Sequence, residues 1–282
     1  MLIQWFPGHM TKALRAMEKS IQKVDSVIYM LDARAPFSCI NPEFESLIKN
    51  RPVLYVVNKA DLVEKNDVDK WIDFFTREGK KVVFASSISG KNVSTIISAL
   101  TDVNKEKLKR NSDKGVNYSL KAMVIGMPNT GKSTLINSLA KDKKTVTGNK
   151  PGVTRSEQWI RLSNNMVLLD TPGTLCHSIK VERTALNLAF LGSIRDAVLD
   201  MEGLALKFIE YCLRKYPGVL ANRYKIEECE NGLDVFDRIA RARGFVIKGG
   251  EVDYTRTANC ITDDFRKGRL GKLILELPDD KE

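Results

Sequence analysis

The sequence is poor in the residues that build metal sites and disulfide frameworks. Its five cysteines stand singly along 282 residues without a CxxC pair, and it contains only two histidines. This distribution argues against a zinc site or a set of disulfides, and it is typical of proteins from a reducing compartment. We therefore expect a cytoplasmic protein.

Long apolar runs are missing as well. No stretch approaches the roughly 18 to 20 apolar residues that a membrane-spanning helix needs, so we expect no membrane partner. The opening residues, MLIQWFPGHM, lack a basic segment followed by a long apolar one, so we expect no secretory signal. The hydrophobic share of 43% is typical of a globular protein with an ample core.

Acidic residues are scarce in the first part of the chain only. Residues 1–178 contain 27 Lys and Arg against 17 Asp and Glu, whereas residues 179–282 contain 18 of each. The net charge of +10 therefore lies in the first part, which favours a polyanionic partner such as nucleic acid. The alternative is that this charge serves solubility alone.

Short apolar runs that end in polar residues predict buried parallel strands. They cover residues 26–32, 52–58, 81–87, 121–126 and 165–170, and an alternating run at 158–162 predicts an antiparallel edge strand. Helical patterns lie between them, at about 10–23, 41–49, 67–78, 92–100 and 132–140. This alternation predicts a doubly wound, mostly parallel α/β sheet, with a polar connector at 103–117 that joins its two halves.

Helical spacing replaces the strand patterns beyond residue 178. We therefore predict two domains, an α/β domain over residues 1–178 and a small all-helical domain over residues 179–282. Ligands of doubly wound sheets bind at the carboxyl ends of the strands. The motifs that carry chemistry in this sequence fall at those ends.

The segment GMPNTGKS begins at Gly126 and fits the phosphate-loop pattern GxxxxGK[ST] between a predicted strand and a predicted helix. Its glycines permit a tight turn that directs backbone N–H groups at phosphates. Lys132 is expected to reach the β and γ oxygens and to act in catalysis, and Ser133 is expected to ligate Mg²⁺. The expected nucleotide contacts of this region are Asn129, Thr130, Gly131, Lys132, Ser133, Thr134 and Leu135.

The motif NKAD, residues 58–61, predicts a guanine-reading site. The Asp61 carboxylate can accept from the N1–H and the amino group of guanine. Adenine presents an acceptor at N1 and no amine at C2, so it would leave a carboxylate unpaired. Asn58 is expected to hydrogen-bond the base edge, and the stem of Lys59 is expected to cover its face.

Three more motifs complete the set, and two of them, SSISG and DTPG, lie at the ends of predicted strands. SSISG contains Ser86 and Ser87, and the Ser87 N–H is expected to contact guanine O6. PGVTR contains Thr154, which can reach the metal and the γ-phosphate in catalysis. DTPG contains Asp170 for the Mg²⁺ shell and Gly173, whose N–H can reach the γ-phosphate. Together with the two preceding motifs, they predict that the nucleotide is GTP, with GDP as the product.

The base-reading motif precedes the phosphate loop, which is the reverse of the usual order in GTPases. The sequence thus predicts a circularly permuted GTPase domain, a rearrangement that a sheet tolerates when the new ends are exposed. One consequence concerns the second switch, DTPG, which runs directly into the helical domain. A movement of that loop on hydrolysis can therefore be transmitted through the chain.

These motifs, together with WFPGHM at 5–10 and DARAP at 32–36, occur in an order that resembles the circularly permuted GTPases of the ribosome biogenesis GTPase A family. The resemblance covers the whole GTPase domain and the start of the chain. It implies an assembly factor that joins the maturing large ribosomal subunit and binds its rRNA. It also implies that the subunit stimulates hydrolysis and that GTP turnover releases the protein.

The resemblance bears on two further residues and shows one departure. Thr174 follows DTPG, where the family has an apolar residue and ordinary switches have a water-orienting glutamine that Thr is too short to replace. His9, which the family pattern marks, and His177 are the alternatives for orienting water, and we favour His9. The resemblance also implies that Asn129 ligates K⁺, although Asn at this position is equally suited to capping the turn.

Four basic residues mark one face of the first predicted helix and are expected to bind RNA: Lys12, Arg15, Lys19 and Lys23. The basic stretch RIARARGFVIKGG near the C-terminus has a composition that suits phosphate contacts. Solvated helix faces would account for either pattern equally well. We expect a monomer.

Two other functions remain open. An RNA- or tRNA-modification GTPase would need a catalytic cysteine or cofactor pocket, and the single cysteines offer no obvious one. A signalling switch for a protein partner would leave the basic GTPase domain unexplained.

Overall fold

The computed structural model describes residues 8–141, 158–162, 165–171, 173, 179, 181–227 and 229–280, with the backbone alone for 8–13 and 141. The chain forms two compact units, one of Met1–Lys180 together with Ile274–Glu282, the other of Val181–Leu273. The second unit is therefore shorter than the predicted domain 179–282. The C-terminal segment instead returns to the first unit, where its apolar side chains are buried.

Six strands form one sheet in the part of the chain that the structure describes. They are β1 Ser26–Asp32, β2 Val53–Asn58, β3 Lys81–Phe84, β4 Leu120–Gly126, β5 Gln158–Leu162 and β6 Met166–Asp170. Their order is β3-β2-β1-β4-β6-β5, and all pairs are parallel except the antiparallel pair of β5 with β6. The predicted doubly wound sheet and its antiparallel edge strand are thus confirmed.

The helices of the first unit are α1 Gly8–Ile21, α2 Pro42–Ile48, α3 Lys65–Arg77, α4 Val93–Val103, α5 Lys105–Asp113 and α6 Lys132–Lys141. Because side chains alternate along a strand, Ile28 and Met30 belong to one face of β1 and Tyr29 to the other. Ile28 and Met30 join an apolar cluster that includes residues of α4 and α6. Tyr29 stacks on Tyr55 at 5.5 Å and meets the Phe44 ring of α2 edge-on. Helices therefore cover both faces of the sheet.

The polar segment 103–117 contains a helix, α5, which the sequence analysis placed in a connector. Asp25, immediately before β1, ties this segment to the sheet. Its carboxylate accepts hydrogen bonds from the Lys107 ammonium, from the Tyr118 hydroxyl at 2.6 Å and from the Lys121 N–H at 2.8 Å. The segment joins α4 to β4. In the usual order of a GTPase these two elements lie at the free ends of the chain, so a permuted chain must connect them here.

The second unit is helical, as predicted. Its helices are α7 Glu182–Phe190, α8 Met201–Lys215, α9 Val219–Tyr224, α10 Gly232–Ala242 and α11 Tyr254–Arg266. Phe208 packs against Phe190 at 5.2 Å and Phe265 at 4.8 Å between ring centroids. A single antiparallel bridge joins Val246 to Val252. Among the residues described in either unit, no helix combines the length and apolarity needed to cross a membrane.

Candidate nucleotide-binding site

The phosphate loop connects β4 to α6 through a turn that restricts its residues. Gly126, Asn129 and Gly131 have φ angles of 150°, 61° and 96°. A Cβ atom at Gly126 would lie 2.5 Å from the carbonyl oxygen of Met30, and one at Gly131 would lie 2.2 Å from the amide nitrogen of Asn58. Either side chain would therefore push the loop away from the sheet. Asn tolerates the left-handed conformation, so the turn alone already favours Asn129.

Lys132, the first residue of α6, has its ammonium group inside this loop. Nζ donates to the carbonyl oxygens of Gly126 at 3.0 Å and Met127 at 2.8 Å. Burial lowers the pKa of Lys132 to about 8, although the negative charge of Asp170 acts in the opposite direction. A Cβ atom at Gly173 would lie 2.7 Å from the same nitrogen. The phosphate loop and the DTPG motif thus meet at one buried cation, an arrangement suited to a polyphosphate.

Ser133 and Asp170 offer the donors that a hard divalent cation prefers, a hydroxyl and a carboxylate oxygen. Asp170 ends β6 and is 5% exposed, and Ser133 is the second residue of α6. This donor set fits Mg²⁺, which takes one or two protein carboxylates and completes its shell with phosphates and water. Among the described residues, there is no group of three or more His, Cys, Asp or Glu side chains that could hold a metal ion by itself.

Asn58, at the end of β2, links the phosphate loop to the SSISG loop. Its Nδ2 donates to the carbonyl oxygen of Thr130 at 2.9 Å. Its Oδ1 accepts from both the N–H and the hydroxyl of Ser87, at 2.9 and 2.8 Å. The side chain is buried, so these bonds fix the three motifs relative to one another. For the second amide N–H of Asn58, the described residues provide no hydrogen-bond partner.

The SSISG loop differs from its predicted arrangement at Ser87. Because the Ser87 N–H donates to Asn58, it is not available for guanine O6 as the sequence analysis had expected. Ser86 acts within the loop, where its hydroxyl accepts from the Ser89 N–H at 3.4 Å. The next N–H, that of Ile88, has no hydrogen-bond partner among the described residues, and the Ile88 side chain is 84% exposed. The hydrogen bonds from Ser87 to Asn58 cannot be predicted from the sequence.

Lys59 is held by a buried acid that the sequence analysis assigned no role. Its Nζ lies 2.7 Å from Asp32 at the end of β1 and donates to the carbonyl oxygen of Asn129, also at 2.7 Å. Asp32 in turn forms a two-point ion pair with Arg34, at 2.9 Å from Nε and 2.8 Å from Nη2. Both residues belong to the DARAP motif. Their position at the end of a buried strand and directly after it was the signal in the sequence that could have marked them as functional residues.

The other predicted contacts divide into exposed and buried positions. Asp61 is exposed in the 3₁₀ turn Ala60–Leu62, and Thr134 is exposed on α6. Thr130 is buried, and its hydroxyl donates to a carbonyl of its own loop at 2.9 Å. The Leu135 side chain lies in the hydrophobic cluster beneath the sheet, so it faces away from any ligand. Asp61 and Thr134 are therefore the accessible side chains of this group.

Helix α1 separates basic and apolar residues as predicted. Arg15 and Lys19 are exposed, and Lys23 is exposed two residues after the helix ends. Met17 and Ile21 are buried on the opposite side. The geometry is that of an amphipathic surface helix, whichever partner its basic face contacts.

Several predicted residues fall outside the described part. His9 and Lys12 belong to α1, but their side chains lie outside the described residues, as do Thr154, Thr174 and His177 altogether.

Comparisons with known proteins, by sequence and by structure, all find GTPases or the protein YlqF. The protein family described as "50S ribosome-binding GTPase" matches residues 121–229. Ribosome biogenesis GTPase A of Bacillus cereus is 37% identical over 99% of this chain and 95% of its own length. Mitochondrial ribosome-associated GTPase 1 of Bos taurus is 36% identical over 97% of this chain and 88% of its own length. GNP-bound YlqF from T. maritima has a TM-score of 0.68 at 25% identity, over 96% of this chain and 100% of its own.

The family match begins at β4 and leaves out β1 to β3. This limit has a physical reason, because the base-reading motif lies ahead of the phosphate loop in this chain and would follow it in the usual order. The relatives that match from end to end share the permuted order of the whole chain.

Proposed function

This chain belongs to the ribosome biogenesis GTPase A family and hydrolyses GTP, and on that premise we propose that it is an assembly factor of the large ribosomal subunit. It binds the maturing subunit and its rRNA, and GTP turnover releases it. The observation that best supports the guanine site is the Asn58 bridge, which joins groups 72 and 29 residues away in the sequence.

The base is selected at the ends of β2 and β3. Asp61 pairs with the N1–H and amino group of guanine, and its exposed position lets the base enter. The Lys59 stem covers the face of the base, and the free N–H of Asn58 reaches its edge. The Ile88 N–H takes the role of donor to guanine O6 that Ser87 cannot fill. Only guanine satisfies all of these groups.

The phosphates are held by the loop at Gly126 to Gly131 and by Lys132. Lys132 leaves the loop carbonyls for the β and γ oxygens, where its charge is stabilised by anionic partners. Ser133, Thr154 and Asp170 would hold Mg²⁺, which would supply positive charge against the charge that develops on the phosphates. The N–H of Gly173 points at the γ-phosphate.

Two features concern catalysis more directly. Asn129 would ligate K⁺, and its exposed position on the loop is compatible with this role. His9 orients the attacking water in place of the glutamine that is missing after DTPG. Replacement of His9 by Ala should keep GTP affinity and abolish most of the subunit-stimulated turnover, whereas replacement of His177 should change little. Single-turnover hydrolysis with large subunits distinguishes the two, and the opposite pattern would assign the role to His177.

Basic surfaces in both units supply the rRNA contacts. In the first unit these are Lys12, Arg15, Lys19 and Lys23 of the helical stripe. In the second, Arg241, Arg243 and Lys248 are exposed around the Val246–Val252 bridge. Counterion release makes such binding steeply dependent on salt. We further propose that the protein works as a cytoplasmic monomer.

Co-sedimentation with ribosomal subunits tests the proposal. The protein with a non-hydrolysable GTP analogue should sediment with large subunits, and GDP should weaken this binding. Alanine at Arg15, Lys19 and Lys23 should lower the salt slope by about 2 to 3. A control with the exposed Lys105, Lys109 and Arg110 of α5 changed to Ala removes equal charge and should leave the slope unaltered. No sedimentation in either nucleotide state would contradict the proposal and favour a protein-partner switch.

A further inference from the structure

We propose that Asp32 and Arg34 position Lys59 in the guanine site, and that the C-terminal segment Ile274–Asp280 holds this pair in place. We call this segment the C-terminal clip. The inference rests on the proposed guanine site and adds a means by which its affinity is controlled. It makes the far end of the chain part of the nucleotide-binding apparatus.

Asp32 is the centre of the arrangement. It is 1% exposed and accepts from the Arg34 N–H at 3.1 Å as well as from the guanidinium group. Burial acts to raise the pKa of Asp32, but the charges of Arg34 and Lys59 outweigh it and hold the pKa well below its ordinary value. The carboxylate is therefore charged at any physiological pH and attracts the Lys59 ammonium permanently.

Lys59 needs such an anchor because its backbone is unfavourable by itself. Its φ and ψ angles are 61° and 32°, in the left-handed region that residues with a side chain seldom adopt. A conformation of this kind persists only where surrounding contacts fix it. The ammonium contacts Asp32 and the carbonyl oxygen of Asn129 in the phosphate loop. Without Asp32, the base-covering stem and the loop would lose their common support.

The clip secures the loop that carries Arg34. The Leu275 N–H donates to the Arg34 carbonyl oxygen at 2.7 Å. The Glu276 carboxylate accepts from the N–H of Ser38 at 2.8 Å and from its hydroxyl at 2.7 Å. Glu276 is 5% exposed and Ser38 1%, so water cannot readily replace these bonds. Ile274 and Leu275 are also buried, which anchors the clip by apolar contact.

The position of the clip in the chain gives it a regulatory role. It begins one residue after Leu273, the last residue of the helical unit. The helical unit is thus connected to the first unit at both of its ends, through the second switch on one side and through the clip on the other. Any partner that pulls on the helical unit can therefore loosen Arg34 and, through Asp32, the hold on Lys59.

The decisive variant is Asp32→Asn, with Asp25→Asn as its matched control. Both acids are buried and paired to a lysine, at opposite ends of β1. We expect Asp32→Asn to accelerate dissociation of a fluorescent GDP analogue by about tenfold or more, because one partner of a buried ion pair is left uncompensated. Asp25→Asn should lower the melting temperature and leave the dissociation rate within about twofold of wild type.

Milder variants test the clip at a smaller cost in stability than Asp32→Asn. Glu276→Gln and Ser38→Ala should each accelerate GDP dissociation by about threefold to fivefold, and the double variant should not exceed the larger single effect by much, because the two groups share one interaction. Glu45→Gln is the control, since Glu45 also accepts from a hydroxyl, that of Tyr55 at 2.9 Å, but has no link to Lys59.

The outcomes separate the inference from the proposal on which it rests. Equal dissociation rates for Asp32→Asn and Asp25→Asn, at comparable losses of melting temperature, would overturn the positioning role of Asp32. Wild-type rates in Glu276→Gln and Ser38→Ala would overturn the role of the clip. Failure of the wild-type protein to bind the GDP analogue would instead reject the guanine site itself.

Discussion

The two ends of strand β1 carry the same chemistry in different roles. Asp25 precedes the strand and Asp32 ends it, and each is a buried carboxylate that pairs with a lysine. At the amino edge of the sheet, Asp25 binds Lys107 of the connector. At the carboxyl edge, Asp32 binds Lys59 of the base-reading motif. One pair stabilises the fold, and the other lies among the proposed nucleotide-binding residues.

The surroundings explain the difference. Lys107 is 47% exposed and lies in a segment that only joins α4 to β4, so its ion pair serves to hold the connector. Lys59 is 19% exposed and also contacts the phosphate loop, so its ion pair transmits position to a ligand site. In doubly wound sheets the carboxyl ends of the strands form the ligand crevice, whereas the amino ends do not. A buried ion pair therefore indicates function only when the edge of the sheet at which it lies is also known.

The largest expected effect is on GTP hydrolysis, and it distinguishes Lys132 at the carboxyl edge of the sheet from Lys107 at the amino edge. Lys132→Ala at the carboxyl edge should reduce GTP hydrolysis by on the order of 100-fold or more, because it removes the cation that we propose to face the transferred phosphate. Lys107→Ala at the amino edge should leave the hydrolysis rate essentially unaltered while it lowers stability. Hydrolysis measured by phosphate release at saturating GTP gives the answer. A comparable loss of hydrolysis in both variants would break the comparison.

Much of this carboxyl edge could be predicted from the sequence. The short apolar runs identify the strands, and each run ends in a motif, so the order of motifs places Asn58, Gly126 and Asp170 at one edge. The antiparallel position of β5 also follows from its alternating pattern. These features depend on local patterns of hydrophobicity, which the sequence displays directly.

Features that depend on contacts between distant residues could not be predicted. Helix α5 was missed because its high charge conceals a weak apolar pattern, and only Leu108 packs against the core. The return of the clip depends on a bond between Glu276 and Ser38, which are 238 residues apart. Likewise, the Ser87 N–H was assigned to the base because its competing acceptor, Asn58, belongs to another strand. Such pairings have no local signature.

The second prediction tests the base selection at the same edge. Asp61→Asn should weaken GTP binding by on the order of 100-fold and improve binding of xanthosine triphosphate, whose C2 carbonyl accepts from the new amide. Asp67→Asn, in the following helix, is the matched control, since Asp67 forms an ion pair with Lys70 at 3.3 Å. Competition against a fluorescent GTP analogue measures both affinities. Retention of GTP affinity within about twofold in Asp61→Asn would remove Asp61 from the site.

A smaller effect concerns the monovalent cation. GTP hydrolysis should be about tenfold faster in K⁺ than in Na⁺ at equal ionic strength, because a site selective for K⁺ adds a charge near the transition state only in the K⁺ buffer. Replacement of Asn129 by Gly, which keeps the left-handed turn, should remove this preference. Melting temperature measured in the two salts is the control, because the amino edge and the core have no reason to distinguish the cations. Equal rates in both salts would leave Asn129 with the turn as its only role.

The smallest effect on activity is expected at the amino edge, where Asp25→Asn should alter stability alone. Loss of charge-assisted hydrogen bonds should lower the free energy of unfolding by about 2 kcal/mol at neutral pH. Tryptophan fluorescence during urea unfolding is a suitable measurement, because all three tryptophans, at positions 5, 71 and 159, belong to the first unit. GTP hydrolysis should remain close to that of the wild type.

The pH dependence of this loss follows from the pKa of Asp25. Burial acts to raise that pKa, but the hydrogen bonds from Lys107, Tyr118 and the Lys121 N–H outweigh it and lower the pKa from its ordinary 3.8. The carboxylate therefore contributes stability that is fully present above the unfolded-state pKa and is lost as the pH falls through the folded-state value. The difference between wild type and Asp25→Asn should be constant near neutral pH and shrink below about pH 4. A difference that stays constant at acidic pH would mean that Asp25 acts through its shape and not its charge.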